Sequence, residues 1–304
     1  MSVQWSGVMP AVTTKFKPDD TLDLELFSKN IHSQLEAGVE GIILGGTLGE
    51  ASTLSKDEKK ILVEHTVALV NQQVPVVINI AEQTTKEAIA AAHAAQAQGA
   101  KGLMMLPPMR YKATADETVA YFSAVATQTD LPIMIYNNPV DYGIEVTLEM
   151  FEQLLKHDNI QAVKESTRDT TNITRLINAF GDRLKILSGV DTLALESLVL
   201  GAQGWVAGLV CAFPRETVAI YKLMKADKID EAVAINRWFM PLLELDINPQ
   251  LVQNIKMAEV ATGIGSELVR LPRMPLTGKE RARVQQIIDH AMLTRPKLPD
   301  YKNL

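Results

Sequence analysis

Eight short apolar runs, each followed by a longer stretch of helical periodicity, constrain this chain more than any other feature. The runs are Gly7 to Thr13, Gly41 to Gly45, Val74 to Ile80, Gly102 to Leu106, Leu131 to Tyr136, Ile160 to Lys164, Leu184 to Ser188 and Gly204 to Gly208. They begin roughly 20 to 35 residues apart, the length of one βα unit, and most lack polar alternation, as strands buried on both faces should. Between them, Lys86 to Gly99 places Ala88, Ile89, Ala92 and Ala95 at three- and four-residue steps. Ser55 leads Lys56-Asp57-Glu58 in the pattern of a capping box, and Thr147 opens a helix toward Phe151 and Leu154. Eight alternating units predict an α/β fold closed as a (β/α)8 TIM barrel rather than an open sheet.

After about Ala212 the strand signals give way to helical ones over 215–223, 229–245, 250–263 and 278–293. A barrel needs about 250 residues, and this chain has 304. The expected division is a barrel over 1–225 and a C-terminal helical extension over 226–304.

Charge and composition remove several function classes. The net charge is −6 and Lys and Arg are scattered, whereas nucleic-acid binding needs concentrated positive charge. No run approaches the ~20 apolar residues of a membrane span, and Met1 to Pro10 lacks the basic and apolar start of a secretory signal. The expected location is the cytoplasm. Cys211 stands alone, so no internal disulfide forms, and it reads as a small buried hydrophobe. His32, His65, His93, His157 and His290 fall in helix-like stretches without metal-ligand spacing, so no metal is expected.

In such a barrel the chemistry sits where the strands end. Lys164 closes the sixth run. A lysine desolvated there loses preference for its charged form and becomes a nucleophile toward a carbonyl, although a strand-end lysine reaching solvent would occupy the same position. Tyr136 closes the fifth run, where a phenol beside an imine-forming lysine can move protons, or can simply pack. The turn Gly45-Gly46-Thr47-Leu48-Gly49-Glu50 lets backbone amides approach a ligand, and a tight βα turn would look similar.

In combination these residues resemble the dihydrodipicolinate synthase and N-acetylneuraminate lyase family. Gly46-Thr47-Leu48-Gly49-Glu50, Tyr136-Asn137-Asn138-Pro139 and Val163-Lys164-Glu165-Ser166 follow its motifs in order on strands two, five and six. The resemblance implies a class I lyase in which Lys164 forms the Schiff base and Tyr136 relays protons. Thr47 would receive the substrate carboxylate or couple to the tyrosine. Gly46, Leu48, Asn138, Gly189 and Val206 would line the substrate, and Tyr111 would complete a relay across a subunit interface. It further implies a homotetramer built as a dimer of dimers, a small 2-oxo acid or cyclic imine as substrate, and neither metal nor organic cofactor.

Two departures bear on the substrate. Leu48 stands where the synthases carry a second threonine, and Val140-Asp141-Tyr142 stands where they place an arginine. An acid there would repel the carboxylate of an aspartate-semialdehyde adduct. Asn137-Asn138-Pro139, Pro107-Pro108-Met109, Trp238 to Leu243 and Asn248 to Gln253 are similar to a branch that deaminates 1-pyrroline-4-hydroxy-2-carboxylate in hydroxyproline breakdown. Deamination is therefore the first expectation, with dihydrodipicolinate synthesis or another pyruvate aldolase as the alternative. A non-catalytic oxo-acid binder and a phosphate-binding barrel, the latter suggested by Gly189 and the glycines of 204–208, are the readings of other classes.

Overall fold

The computed structural model describes residues 3–108 and 110–304. Its eight strands are β1 (Gly7–Pro10), β2 (Ile42–Leu44), β3 (Val76–Ile80), β4 (Gly102–Met105), β5 (Ile133–Asn137), β6 (Ile160–Glu165), β7 (Lys185–Ser188) and β8 (Gly204–Ala207). All pair in parallel, in the order β1-β8-β7-β6-β5-β4-β3-β2. The ring closes between its ends through the bridge Ala11 to Ile43, where the Val12 amide donates to the Ile43 carbonyl at 3.0 Å. Each expected run holds one strand, with β5 and β6 passing the end of their runs by one residue, to Asn137 and Glu165. The other six runs exceed their strands by one to three residues.

The helices are α1 (Leu24–Ala37), α2 (Lys56–Val70), α3 (Thr85–Ala97), α4 (Ala115–Ala126), α5 (Pro139–Tyr142), α6 (Leu148–Leu154), α7 (Thr171–Phe180), α8 (Ala194–Val199), α9 (Pro214–Lys225), α10 (Ile229–Leu243), α11 (Leu251–Ala261) and α12 (Gly278–Leu293). The Ser55 capping box is present on α2, with the hydroxyl accepting from the Glu58 amide, and Thr147 caps α6 in the same way. His157 departs from expectation: it lies in the turn after α6, while the other four histidines are helical. Among the described residues, no helix is long and apolar enough to cross a membrane.

Period-two alternation splits the strand side chains into two layers. Ile133, Ile135, Val163 and Ile186 face the surrounding helices, whereas Met104, Met134, Ala162 and Leu187 point into the barrel. Tyr136 and Lys164 continue the inward set, two residues beyond Met134 and Ala162. A bulge makes this possible. Ile133 pairs with Ile160 but Met134 pairs with Ala162, so β6 carries one extra residue, Gln161, and Tyr136 comes level with Lys164. Without the extra residue Tyr136 would face Val163, whose side chain points the other way.

Candidate active site

Lys164 is buried, at 8% exposure, and its Nζ lies 4.0 Å from the centre of the Tyr136 ring. Burial drives its amine below the ordinary lysine value, opposing the pull of the nearby Asp246, Asp191 and Asp141 carboxyls. Burial also pushes the Tyr136 phenol up to about 12, so it holds its proton at neutral pH. Asn138 donates to the Tyr136 hydroxyl at 3.2 Å. An amine shifted toward its neutral form beside a protonated phenol suits attack on a carbonyl.

Gly189 makes room for the lysine stem. A Cβ there would stand 2.6 Å from Lys164 Cγ and 2.8 Å from its Cε, and would collide with the Ser166 hydroxyl. Gly189→Ala is expected to displace the amine and slow its capture of a ketone by about 10^2-fold, the scale of an ångström-sized misplacement. The rate of borohydride trapping measures this, with circular dichroism to confirm the fold. An unchanged rate would mean that the stem shifts at no cost.

Around the amine lies a cavity, open at its mouth. Asp191 is held rigidly beneath it. Its carboxylate accepts from the Trp205 indole at 2.9 Å, the Leu209 amide at 2.7 Å and the Gly208 amide at 3.1 and 3.2 Å. Asp246, on the connection from α10 to α11, lines the same cavity, and its carboxyl has no hydrogen bond or ion pair among the described residues. Burial and the neighbouring Asp191 push its carboxyl well up. On the opposite wall Arg168 meets Asp141 at 3.5 Å.

The turn after β2 is tied down from three sides. Asn79 donates to the Gly45 carbonyl at 2.9 Å, Thr14 to the Gly49 carbonyl at 2.6 Å, and Lys256 to the Glu50 carboxylate at 2.5 Å. Glu50 itself has φ of 52°, a left-handed conformation that this tethering holds in place. Thr47, at the tip, shares a 2.9 Å hydrogen bond with the Tyr142 hydroxyl.

Eight of the nine site residues expected from sequence line this one cavity: Gly46, Thr47, Leu48, Tyr136, Asn138, Lys164, Gly189 and Val206. Tyr111 does not. It is 55% exposed, in the turn before α4, outside the cavity of its own chain, and the adjacent Met109 lies outside the described residues. Thr47 couples to Tyr142 rather than to Tyr136. Cys211 is buried, and burial pushes its thiol up, as suits a packed hydrophobe.

Sequence reasoning missed Tyr142, Arg168, Asp191 and Asp246. Arg168 also corrects the inference drawn from Asp141: the acid is paired, so the cavity carries a cation that the motif alone did not disclose. Its only sequence signal is its place four residues beyond Lys164.

An inward, desolvated lysine under a phenol at the mouth of a (β/α)8 barrel defines a site for lysine-imine chemistry. The chain belongs to the dihydrodipicolinate synthetase family, whose model matches residues 4–291, and as such is a class I Schiff-base lyase. It is 32% identical over 281 residues to a 4-hydroxy-tetrahydrodipicolinate synthase of Exiguobacterium sibiricum, covering 91% of this chain and 94% of that one. A synthase of the same name from Methanothrix thermoacetophila is 32% identical over 286 residues, 93% of this chain and 95% of the other. Among solved structures, a dihydrodipicolinate synthase of Bacillus anthracis superposes with a TM-score of 0.91 at 25% identity, over 97% of this chain and all of the other (100%). The 4-hydroxy-tetrahydrodipicolinate synthase of Methylacidiphilum fumariolicum gives 0.90 at 27%, over 95% and 96%.

Proposed function

We propose that Lys164 forms the Schiff base with pyruvate or a similarly small 2-oxo acid, with Tyr136 as the proton carrier beside it and the turn at Gly46 to Leu48 receiving the carboxylate. The observation that carries this reading is the Lys164 nitrogen held over the Tyr136 ring, out of water, inside the cavity. The relatives' names favour 4-hydroxy-tetrahydrodipicolinate synthesis as the overall reaction. Arg168 supports that reading, because it supplies a cation for a second carboxylate despite Asp141.

Deamination of 1-pyrroline-4-hydroxy-2-carboxylate is a second reading, and one observation favours it. The Asp246 carboxyl lines the cavity without a hydrogen bond or ion pair among the described residues, burial shifts it toward its protonated form, and elimination of a hydroxyl as water needs a proton donor. The enamine formed at Lys164 serves either reaction. In one it attacks an aldehyde carbon; in the other it expels the hydroxyl before hydrolysis frees the lysine.

Borohydride reduction with pyruvate, followed by mass mapping, is expected to place the adduct on Lys164. Consumption of aspartate semialdehyde together with pyruvate then selects the synthase, and ammonia release from the pyrroline selects the deaminase. A chain trapped by neither pyruvate nor the pyrroline would be a binder without chemistry.

A further inference from the structure

We infer that Tyr142 is a second proton-carrying phenol of this site and that it serves the Lys164 of its own chain. The inference rests on Lys164 being the Schiff-base lysine. Tyr142 ends the single turn of α5, and its ring meets the Tyr136 ring edge-on at 5.5 Å between centroids. Its hydroxyl lies 2.9 Å from Thr47 Oγ1, and either oxygen can donate in that bond. Thr47 is exposed, so the pair connects the cavity wall to solvent. The Tyr136 hydroxyl, by contrast, is engaged by Asn138.

The segment that carries Tyr142 is fixed rather than loose. Asn137 receives the Val146 amide at 2.9 Å and donates to the Val146 carbonyl at 3.2 Å, which closes the connection at its base. Asn138 caps α5 by accepting from the Asp141 amide at 3.1 Å. A phenol on such a loop is preorganised before substrate arrives.

Condensation of an amine with a ketone forms a C=N bond, breaks the C=O bond and releases water. Two hydrogens leave nitrogen and two arrive on oxygen. In the first step the protonated Tyr142 gives its proton to the ketone oxygen as the amine attacks, is recharged from solvent through Thr47, and the first nitrogen proton leaves to solvent. In the second step the protonated Tyr136 gives its proton to the carbinolamine hydroxyl, which departs as water, and as a phenolate it takes the second proton from the nitrogen, so neither phenol is consumed. Thr47 thus has a phenolic partner, Tyr142, within the same chain.

Tyr142→Phe keeps the ring packing and removes only the hydroxyl. Turnover of the substrate identified above is expected to fall about 10^2-fold with KM within a few-fold, as for loss of a general acid. Pyruvate with borohydride still labels Lys164 to completion, only more slowly. Wild-type turnover in this variant would overturn the proposal, whereas absence of labelling in the wild-type protein would remove the Lys164 reading beneath it. The same-chain claim is tested by mixing Lys164→Ala chains with Tyr142→Phe chains. No recovery is expected; recovery of activity in the mixture would show that Tyr142 acts on another subunit.

Discussion

Lys164→Ala is expected to abolish the pyruvate adduct and to lower kcat/KM by roughly 10^4-fold or more, the scale at which removal of a nucleophile is felt. The expectation separates this lysine from its nearest rival. Lys256 is also buried, and burial lowers its amine to about 8. Its Nζ, however, is bound at 2.5 Å to Glu50 and at 2.6 Å to the Leu268 carbonyl, away from the cavity. A depressed basicity makes an amine available only where a ketone can reach it. Mass mapping that found the label on Lys256 would reverse the assignment.

The same substitution has a thermodynamic signature. A lysine whose folded value is depressed binds its proton more weakly than in the unfolded chain, where the value is about 10.4. Between the two values the unfolded state holds more protons, so this residue's contribution to stability rises with pH and its cost is fully present below the folded value. Lys164→Met removes an amine that the site destabilises while keeping most of the stem's packing. The variant is expected to be at least as stable as wild type at neutral pH, with a flatter rise toward alkaline pH in urea midpoints. A site that stores this cost for chemistry should show the gain on its removal.

The barrel was legible because parallel strands covered on both faces must be apolar along their whole length, and eight such runs at βα spacing leave little else to build. The lysine and the tyrosine were legible for a related reason: a charged or phenolic group at the end of a buried strand contradicts its surroundings. What sequence did not disclose came from register and from distance. The extra residue at Gln161 leaves no compositional trace, yet it decides whether Tyr136 faces Lys164. Asp246 stands 82 positions beyond Lys164 on the extension, and only the return of the α10–α11 connection over the barrel mouth brings it in. Tyr142 was read within a motif for the charge of its neighbour Asp141, so its own hydroxyl went unweighed.

Lys256→Met is expected to destabilise the fold by about 3 kcal/mol, because it strands the Glu50 carboxylate where no water can replace the ammonium. Both side chains of this pair are fully buried, and they lie 206 residues apart, one on the turn after β2 and the other on α11. The backbone amide of Arg270, at 3.0 Å, and the Arg273 guanidinium, at 3.8 Å, remain near Glu50 and keep the loss at the low end for such pairs. Lys256 holds its proton less tightly than a free lysine would, so burial costs this ammonium more than Glu50 returns. The pair is therefore a poor stabiliser, and the double variant Glu50→Gln with Lys256→Met should recover most of the lost stability. It should not recover function. With the tether gone, the left-handed Glu50 and the turn that presents Gly46, Thr47 and Leu48 lose the contact that sets their position, and KM for the oxo acid should rise about 10-fold or more. Urea midpoints and KM measured on the two variants separate the effects. A double variant with wild-type KM would show that the turn keeps its shape through Asn79 and Thr14 alone, and that the buried ions merely fill space.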